Sequence, residues 1–129
     1  MKPIWKISIV VLMTTVAYVA VRMISFDDDA EKFTQTYLNK EVSHHNTAQL
    51  KKISADKHTY HFLKDANHVT LKFTADNQGY QNYAYYPVRI NHSETFWVTL
   101  KFNPNPIDSL ILNHFSMIKI QYFRQDNNR

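Results

Sequence analysis

The chain of 129 residues contains no cysteine. Disulfides, thiolate metal sites, nucleophilic thiols and a lipid-acylated cysteine are therefore all excluded. It contains one glycine, Gly79. The glycine-rich loops that cradle phosphates in P-loop and dinucleotide-binding folds cannot be built from it. An excess of charge is also missing from most of the chain. Lys2, Lys6 and Arg22 precede the first acid, Asp27, and from there on 12 Lys and Arg face 11 Asp and Glu. The formal net charge of +4 thus belongs largely to the leading segment. It gives no reason to expect a nucleic acid partner. No cofactor is implied, and no repeat or low-complexity segment occurs.

One long apolar run is present. Ile7 to Val21 carries no charge and is bracketed by Lys6 and Arg22. A bilayer core of about 30 Å needs roughly 20 apolar residues in a helix. Ile4, Trp5 and Met23 to Phe26 extend the run to that length. Lys6 and Arg22 then snorkel to the two interfaces, with Trp5 at headgroup level. The lysines lie before the run and Asp27 to Asp29 after it. The positive-inside rule therefore sends the remainder across the membrane. This predicts a bacterial inner-membrane, single-pass anchor over residues 1–26, in contact with membrane lipid. A periplasmic or external domain follows over 27–123, then a polar tail over 124–129. The alternative is a cleaved signal peptide, for which Thr15-Val16-Ala17 is the only passable site.

Beyond the run, Asp27 to Asp29 suit a helix N-terminus, and Ala30, Phe33, Tyr37, Leu38 and Val42 recur at helical spacing. The pattern predicts a helix from about Asp28 to Val42. Asn46, with Gln49 three residues on, predicts the cap of a second helix carrying Leu50 and Ile53 and ending near Ala55. From Lys57 the period reads as two. His58 to Phe62 is expected as a first strand, with Tyr60 and Phe62 on one face. Val69, Leu71 and Phe73 make a second. Asp76 to Gly79 is turn chemistry. Tyr80, Ala84, Tyr86, Val88 and Ile90 share one parity in a third strand, where Pro87 suggests an edge or a bulge. Asn91 to Glu94 is a turn. Phe96, Val98, Leu100 and Phe102 alternate in a fourth strand. Asn103 to Pro106 breaks the chain, and Asp108 could cap a short helical turn. Met117 to Phe123 ends the series, with Ile118, Ile120 and Tyr122 on one side.

The fold class expected is therefore α+β. The membrane helix is followed by two helices packed on one face of a curved antiparallel sheet of about five strands. That layout resembles the nuclear transport factor 2-like fold. The resemblance lies in the helix Ala30-x-x-Phe33-x-x-x-Tyr37-Leu38, the short helix around Leu50 and Ile53, and the pairing of Phe96 to Leu100 with Ile118 to Tyr122. It covers roughly Asp28 to Phe123 and implies a bent sheet wrapped around helices. Members of that family include enzymes, ligand binders and extracytoplasmic domains of secretion-system scaffolds behind one membrane helix. The resemblance implies a fold and no particular activity.

Seven histidines are present. His58 and His61 fall on opposite faces of a strand, wrong for one metal ion, though spacing of three would suit a helix. No acid completes a set with them or with His44 and His45, and nothing in the sequence pairs one His with one acid for general-base work. No catalytic or metal residue is therefore assigned. The candidate binding residues are Tyr83, Tyr85 and Trp97, aromatics opposite the core parity that would form an exposed or pocket-lining patch. The expected function is a non-enzymatic envelope protein presenting its domain to a protein partner, in a secretion or envelope assembly. A secreted binder or immunity-type inhibitor, and a pocket-bearing ligand-binding domain, are the alternatives.

Overall fold

A computed structural model describes residues 3–103 and 114–124. Among these residues the chain is α+β, with an N-terminal apolar helix, three further helices and a four-stranded antiparallel sheet. The segment 104–113, with the expected turn at Asp108, and the tail beyond Arg124 lie outside the described residues.

The apolar run is helical as α1, Ile4–Ile24. Its 21 residues reach about 32 Å at 1.5 Å each, the depth of a bilayer core. None of them is buried, so the helix has the length and apolarity of a membrane anchor or a signal sequence. Its serine and threonine hydroxyls are satisfied internally. Ser8, Thr14 and Thr15 each donate to the carbonyl four residues earlier, at 2.8–3.0 Å. That is how such groups are accommodated where no water is available.

The second helix, α2, Phe26–Ser43, follows with no linker. Ser25 keeps right-handed helical dihedrals, its N–H donates to Val21 O, and Asp29 N–H donates back to Ser25 O. Arg22 pairs with Asp29 across the seam at 3.6 Å. Phe26 turns into the domain, its ring set edge-on to Phe102 and Phe115 at 5.0 and 5.2 Å. The far end of α2 closes as a two-bond C-cap. Asn46 N–H donates to Glu41 O, and His45 N–H donates to Val42 O. His45 occupies the left-handed position (φ 50) that usually takes glycine. Asn46 then caps α3, Thr47–Ile53, by accepting from Gln49 N–H, as the spacing predicts.

The segment His58 to Phe62 is not a strand. It lies in a further helix, α4, Lys57–Asp65. The deciding residue is Asp56, whose carboxylate accepts from Thr59 N–H at 2.8 Å and from Thr59 Oγ1, an N-cap in full. Thr59 and Leu63, four apart, make the buried stripe. The apparent period of two came from Tyr60 and Phe62, which flank that stripe and are both partly buried. Among the described residues the domain therefore has three helices and four strands, one helix more and one strand fewer than expected.

The strands are β1 (Leu71–Phe73), β2 (Tyr83–Ile90), β3 (Glu94–Phe102) and β4 (Phe115–Tyr122), hydrogen-bonded in that order. Asn91 and His92, both at positive φ, form the tight turn between β2 and β3, closed by Ser93 N–H to Ile90 O. Pro87 lies inside β2, but β1 has already ended: its last pair is Phe73 with Val88. The Pro87 carbonyl still accepts from Thr74 N–H, but the reciprocal bond to Thr74 O is one that proline cannot make, and the strand stops there. In β4 the expected parity holds for Ile120 and Tyr122 and fails for Ile118. Thr99 pairs with Lys119 but Leu100 with Met117, so Ile118 is an extra residue. This bulge reverses the alternation. It turns Phe115 and Met117 to the core side with Ile120, and leaves Ile118 41% exposed.

The core lies between the sheet and α2–α4. Ala84, Tyr86, Val88, Ile90, Phe96, Val98, Leu100 and Ile120 from the strands meet Ala30, Leu38, Val42, Leu50, Ile53 and Leu63 from the helices. Each large side chain there contributes roughly 1.5–3 kcal/mol through burial. The outer long edge of β1 is closed in an unusual way. Asn39, Gln35 and Glu31, one turn apart on α2, accept from the N–H groups of Val69, Leu71 and Phe73 at 2.7–2.9 Å. Gln35 also donates to Val69 O. A helix face thus takes the place of a neighbouring strand.

Candidate functional site: the outer face of the sheet

With the helices on one side, alternation leaves the other side of the sheet to solvent. The register puts Tyr83, Tyr85, Pro87 and Arg89 of β2 there, beside Trp97, Thr99 and Lys101 of β3 and Lys119 and Gln121 of β4. All three aromatics singled out from the sequence are on this face. Tyr85 and Trp97 are diagonal neighbours, because Tyr85 pairs with Thr99 and Pro87 with Trp97. Their rings stack at 4.4 Å with 1° between planes, and both are half-buried. Tyr83 is 43% exposed and takes no part in the stack. Tyr80 precedes β2 and stands free of the cluster, 79% exposed.

The face holds more than the sequence reading identified. Phe123 meets Trp97 edge-on at 5.7 Å, carried there by Phe123 N–H donating to Thr95 O. The parity of Ile120 and Tyr122 already placed it opposite the core, though it was not singled out with the other aromatics. Lys72 of β1 and Arg89 of β2 are directly opposite one another. They border a groove of about 350 Å³ that Thr70, Thr74 and His92 also line. Gly79 holds the loop between β1 and β2 close against the start of β2. A Cβ there would come within 2.0 Å of Tyr83 O, so only glycine fits without displacement. The close approach allows Asn77 Oδ1 to accept from Tyr85 N–H and Gln78 N–H to donate to Tyr85 O.

Trp5 is exposed, with the Lys6 ammonium 5.7 Å from its ring centre. Arg22 reaches the domain through Asp29.

On the helix side, His58 Nε2 lies 2.6 Å from Glu94 Oε2, a pair that no local pattern could reveal across 36 positions. The His58 ring packs on Tyr122 at 4.0 Å. The adjoining groove of about 380 Å³ is lined by His58, His61, Phe62, Asp65, Ala66 and Asn91. None of those is a hydroxyl or thiol nucleophile, and His58 Nε2 is committed to Glu94. Among the described residues no group of three or more His, Asp and Glu is arranged to hold a metal ion.

Two titrations are displaced, and both serve the fold. Burial works to raise the Asp56 carboxyl. Bonds from the Thr59 and Tyr122 amides and the Thr59 hydroxyl, with the nearby His58 charge, outweigh it and hold it below its ordinary value. Tyr86 is fully buried and donates to Asp27 Oδ1 at 2.5 Å. Burial, that bond and the charges of Asp27 and Asp76 push its phenol well above the usual range.

Compared with protein-family models, curated proteins and solved structures, the chain matches none.

Proposed function

We propose that this chain is a non-enzymatic, single-pass envelope protein whose outer sheet face contacts a protein partner within a secretion or envelope assembly. The observation that carries the proposal is the solvent-facing cluster of Tyr83, Tyr85, Trp97 and Phe123 on a domain continuous with α1. Amphipathic aromatics are enriched where proteins meet, and half-buried rings lose little further freedom on docking. The nuclear transport factor 2-like layout, with its helices against a bent sheet, is part of this proposal.

An anchor suits the seam better than a cleaved leader does. Cleavage after Ala17 would leave Tyr18 to Ser25 as an apolar stub, with Val21, Met23 and Ile24 more than half exposed. In the proposed topology the first residues are cytoplasmic and the domain faces the periplasm.

A reporter active only outside the cytoplasm, fused after Asp29, tests the topology. A photo-crosslinking residue at Tyr83 tests the contact. Discrete protein adducts in native membranes, lost in the Tyr85→Ala/Trp97→Ala chain, are expected. A reporter active only in the cytoplasm, or a mature mass lacking everything before Tyr18, refutes the anchored reading.

A further inference from the structure

We infer that the outer sheet face receives an acidic, extended segment of its protein partner. The partner's carboxylates meet Lys72 and Arg89 at one end and Lys101 and Lys119 at the other, with its apolar side chains against the Tyr85–Trp97 stack. This rests on the protein-contact reading above and adds the partner's chemistry.

The first argument is the placement of charge. The domain is close to neutral, 12 basic residues against 11 acidic. Yet the outward strand positions carry Lys72, Arg89, Lys101 and Lys119, and no described acid. The described acids sit elsewhere: Asp27 to Asp29, Glu31 and Glu41 on α2, Asp56 and Asp65 at the two ends of α4, Asp76 in the loop after β1, and Glu94 at the start of β3 against His58. The positive face is therefore a local arrangement and not a by-product of an overall basic chain.

The second argument is the opposed pair. Like charges directly across a strand pair repel, yet Lys72 and Arg89 occupy such positions at the mouth of the 350 Å³ groove. Glu31 offsets Lys72 only in part: it lies 3.7 Å away, and its other oxygen is taken by Phe73 N–H. Among the described residues, Arg89, Lys101 and Lys119 have no carboxylate at ion-pairing distance. A carboxylate entering between Lys72 and Arg89 removes the repulsion and meets the Thr70 hydroxyl and His92 at the same place.

The dimensions and ring geometry select the occupant. Tyr83 to Arg89 spans about 20 Å at 3.3 Å per residue, so about six extended residues reach both cation groups. Tyr85 and Trp97 each spend a ring face on the other, and Phe123 covers part of Trp97. Single-stranded nucleic acid readers need such faces open for bases. A lipid surface fits no better. Glu31, Gln35 and Asn39 pair in turn with Phe73, Leu71 and Val69, so α2 runs along β1 away from α1. The groove lies five to nine residues past Phe26 on that path, about 8–14 Å from the seam.

The test is calorimetric titration of the full chain in neutral-lipid nanodiscs with poly-L-glutamate. Oligothymidylate and phosphatidylglycerol vesicles are the comparison probes. Saturable poly-glutamate binding that weakens as salt rises from about 50 to about 300 mM is expected. K72E/R89E should weaken it at least tenfold, and the milder K72Q/R89Q several-fold. K51E/K52E, on exposed α3 positions away from the face, should stay within twofold. An absence of binding, or equal weakening by K51E/K52E, overturns the inference. Tighter binding of oligothymidylate or of the vesicles through Lys72 and Arg89 also overturns it, in favour of those partners. If poly-glutamate fails while crosslinking at Tyr83 still yields discrete adducts, only the acidic chemistry is refuted. If both are silent, the protein-contact reading falls as well.

Discussion

Replacing Gln35 tests whether a helix face really substitutes for a strand at the β1 edge. Its side chain accepts from Leu71 N–H at 2.8 Å and donates to Val69 O. Gln35→Ala removes both bonds and leaves a buried strand amide without an acceptor, since Leu71 and Val69 are both in the core. Each bond contributes about 1 kcal/mol net, and an orphaned buried donor costs about 1–3 kcal/mol. The expected loss is about 2–4 kcal/mol, a large share of the roughly 5–15 kcal/mol that holds a domain together. Gln35→Glu discriminates further. It keeps an acceptor for Leu71 but sets a carboxylate against Val69 O, so it should cost at least as much as the alanine. Thr36→Ala, one position round the helix and exposed, should stay within about 0.5 kcal/mol. Urea unfolding of the detergent-solubilised chain gives the energies, and amide exchange at Leu71 gives the locality. A Gln35→Ala chain within about 0.5 kcal/mol of the parent, with Leu71 exchange unchanged, would show that β1 does not depend on α2.

Three further perturbations follow from the same contacts. Asp56→Ala loses the α4 cap and the acceptor for Tyr122 N–H at 2.9 Å, and should cost about 2–3 kcal/mol in urea unfolding. The Asp56 carboxyl is held below its ordinary value, so its contribution is complete above an unfolded value of about 3.9 and is lost as pH falls through the lower folded value. The stability gap between the parent and Asp56→Asn should therefore narrow on acidification. Tyr86→Phe removes the bond to Asp27 and should cost about 1.5–3 kcal/mol. The raised Tyr86 value makes its contribution complete below about pH 10 and lost above it, so the parent should lose more stability than the phenylalanine chain on alkaline titration. His45→Gly relieves a left-handed residue at the α2 C-cap and should raise thermal stability by about 0.5–1 kcal/mol.

What the sequence made legible was whatever local spacing decides. The apolar run, α2, the Asn46 cap of α3, the inward parity of β2 and β3, and the outward Tyr83, Tyr85 and Trp97 all follow from periods of 3.6 or two and from one cap. The failures share a cause. In α4 two flanking aromatics imitated a strand, and the Asp56 cap was the better signal. In β4 a one-residue bulge at Ile118 reversed the parity, and a bulge is set by pairing with β3, not by β4 alone. The His58–Glu94 pair, the Tyr86–Asp27 bond and the opposition of Lys72 to Arg89 all join residues far apart in sequence. Composition could not show the charged face either, because its cations are balanced by acids at other positions of the domain.

The two sheet edges bear on how a partner can approach. Strand addition needs a row of free N–H and C=O groups on an edge strand. Along β1 the N–H groups of Val69, Leu71 and Phe73 are already taken by α2 side chains. Along β4, Ala55 N–H donates to Ile120 O and Asp56 accepts from Tyr122 N–H, so the link between α3 and α4 closes that stretch as well. The same residues that position the helices thus occupy the main chain along these stretches of the two edges. The side chains of the outer face remain, and there the aromatics sit among cations of which only Lys72 has a carboxylate at ion-pairing distance among the described residues. Affinity through such a face depends on side-chain identity and on salt, whereas strand addition depends on main-chain pairing and tolerates many sequences. The salt dependence of binding and its sensitivity to Lys72 and Arg89 therefore report the mode of docking as well as the partner's charge.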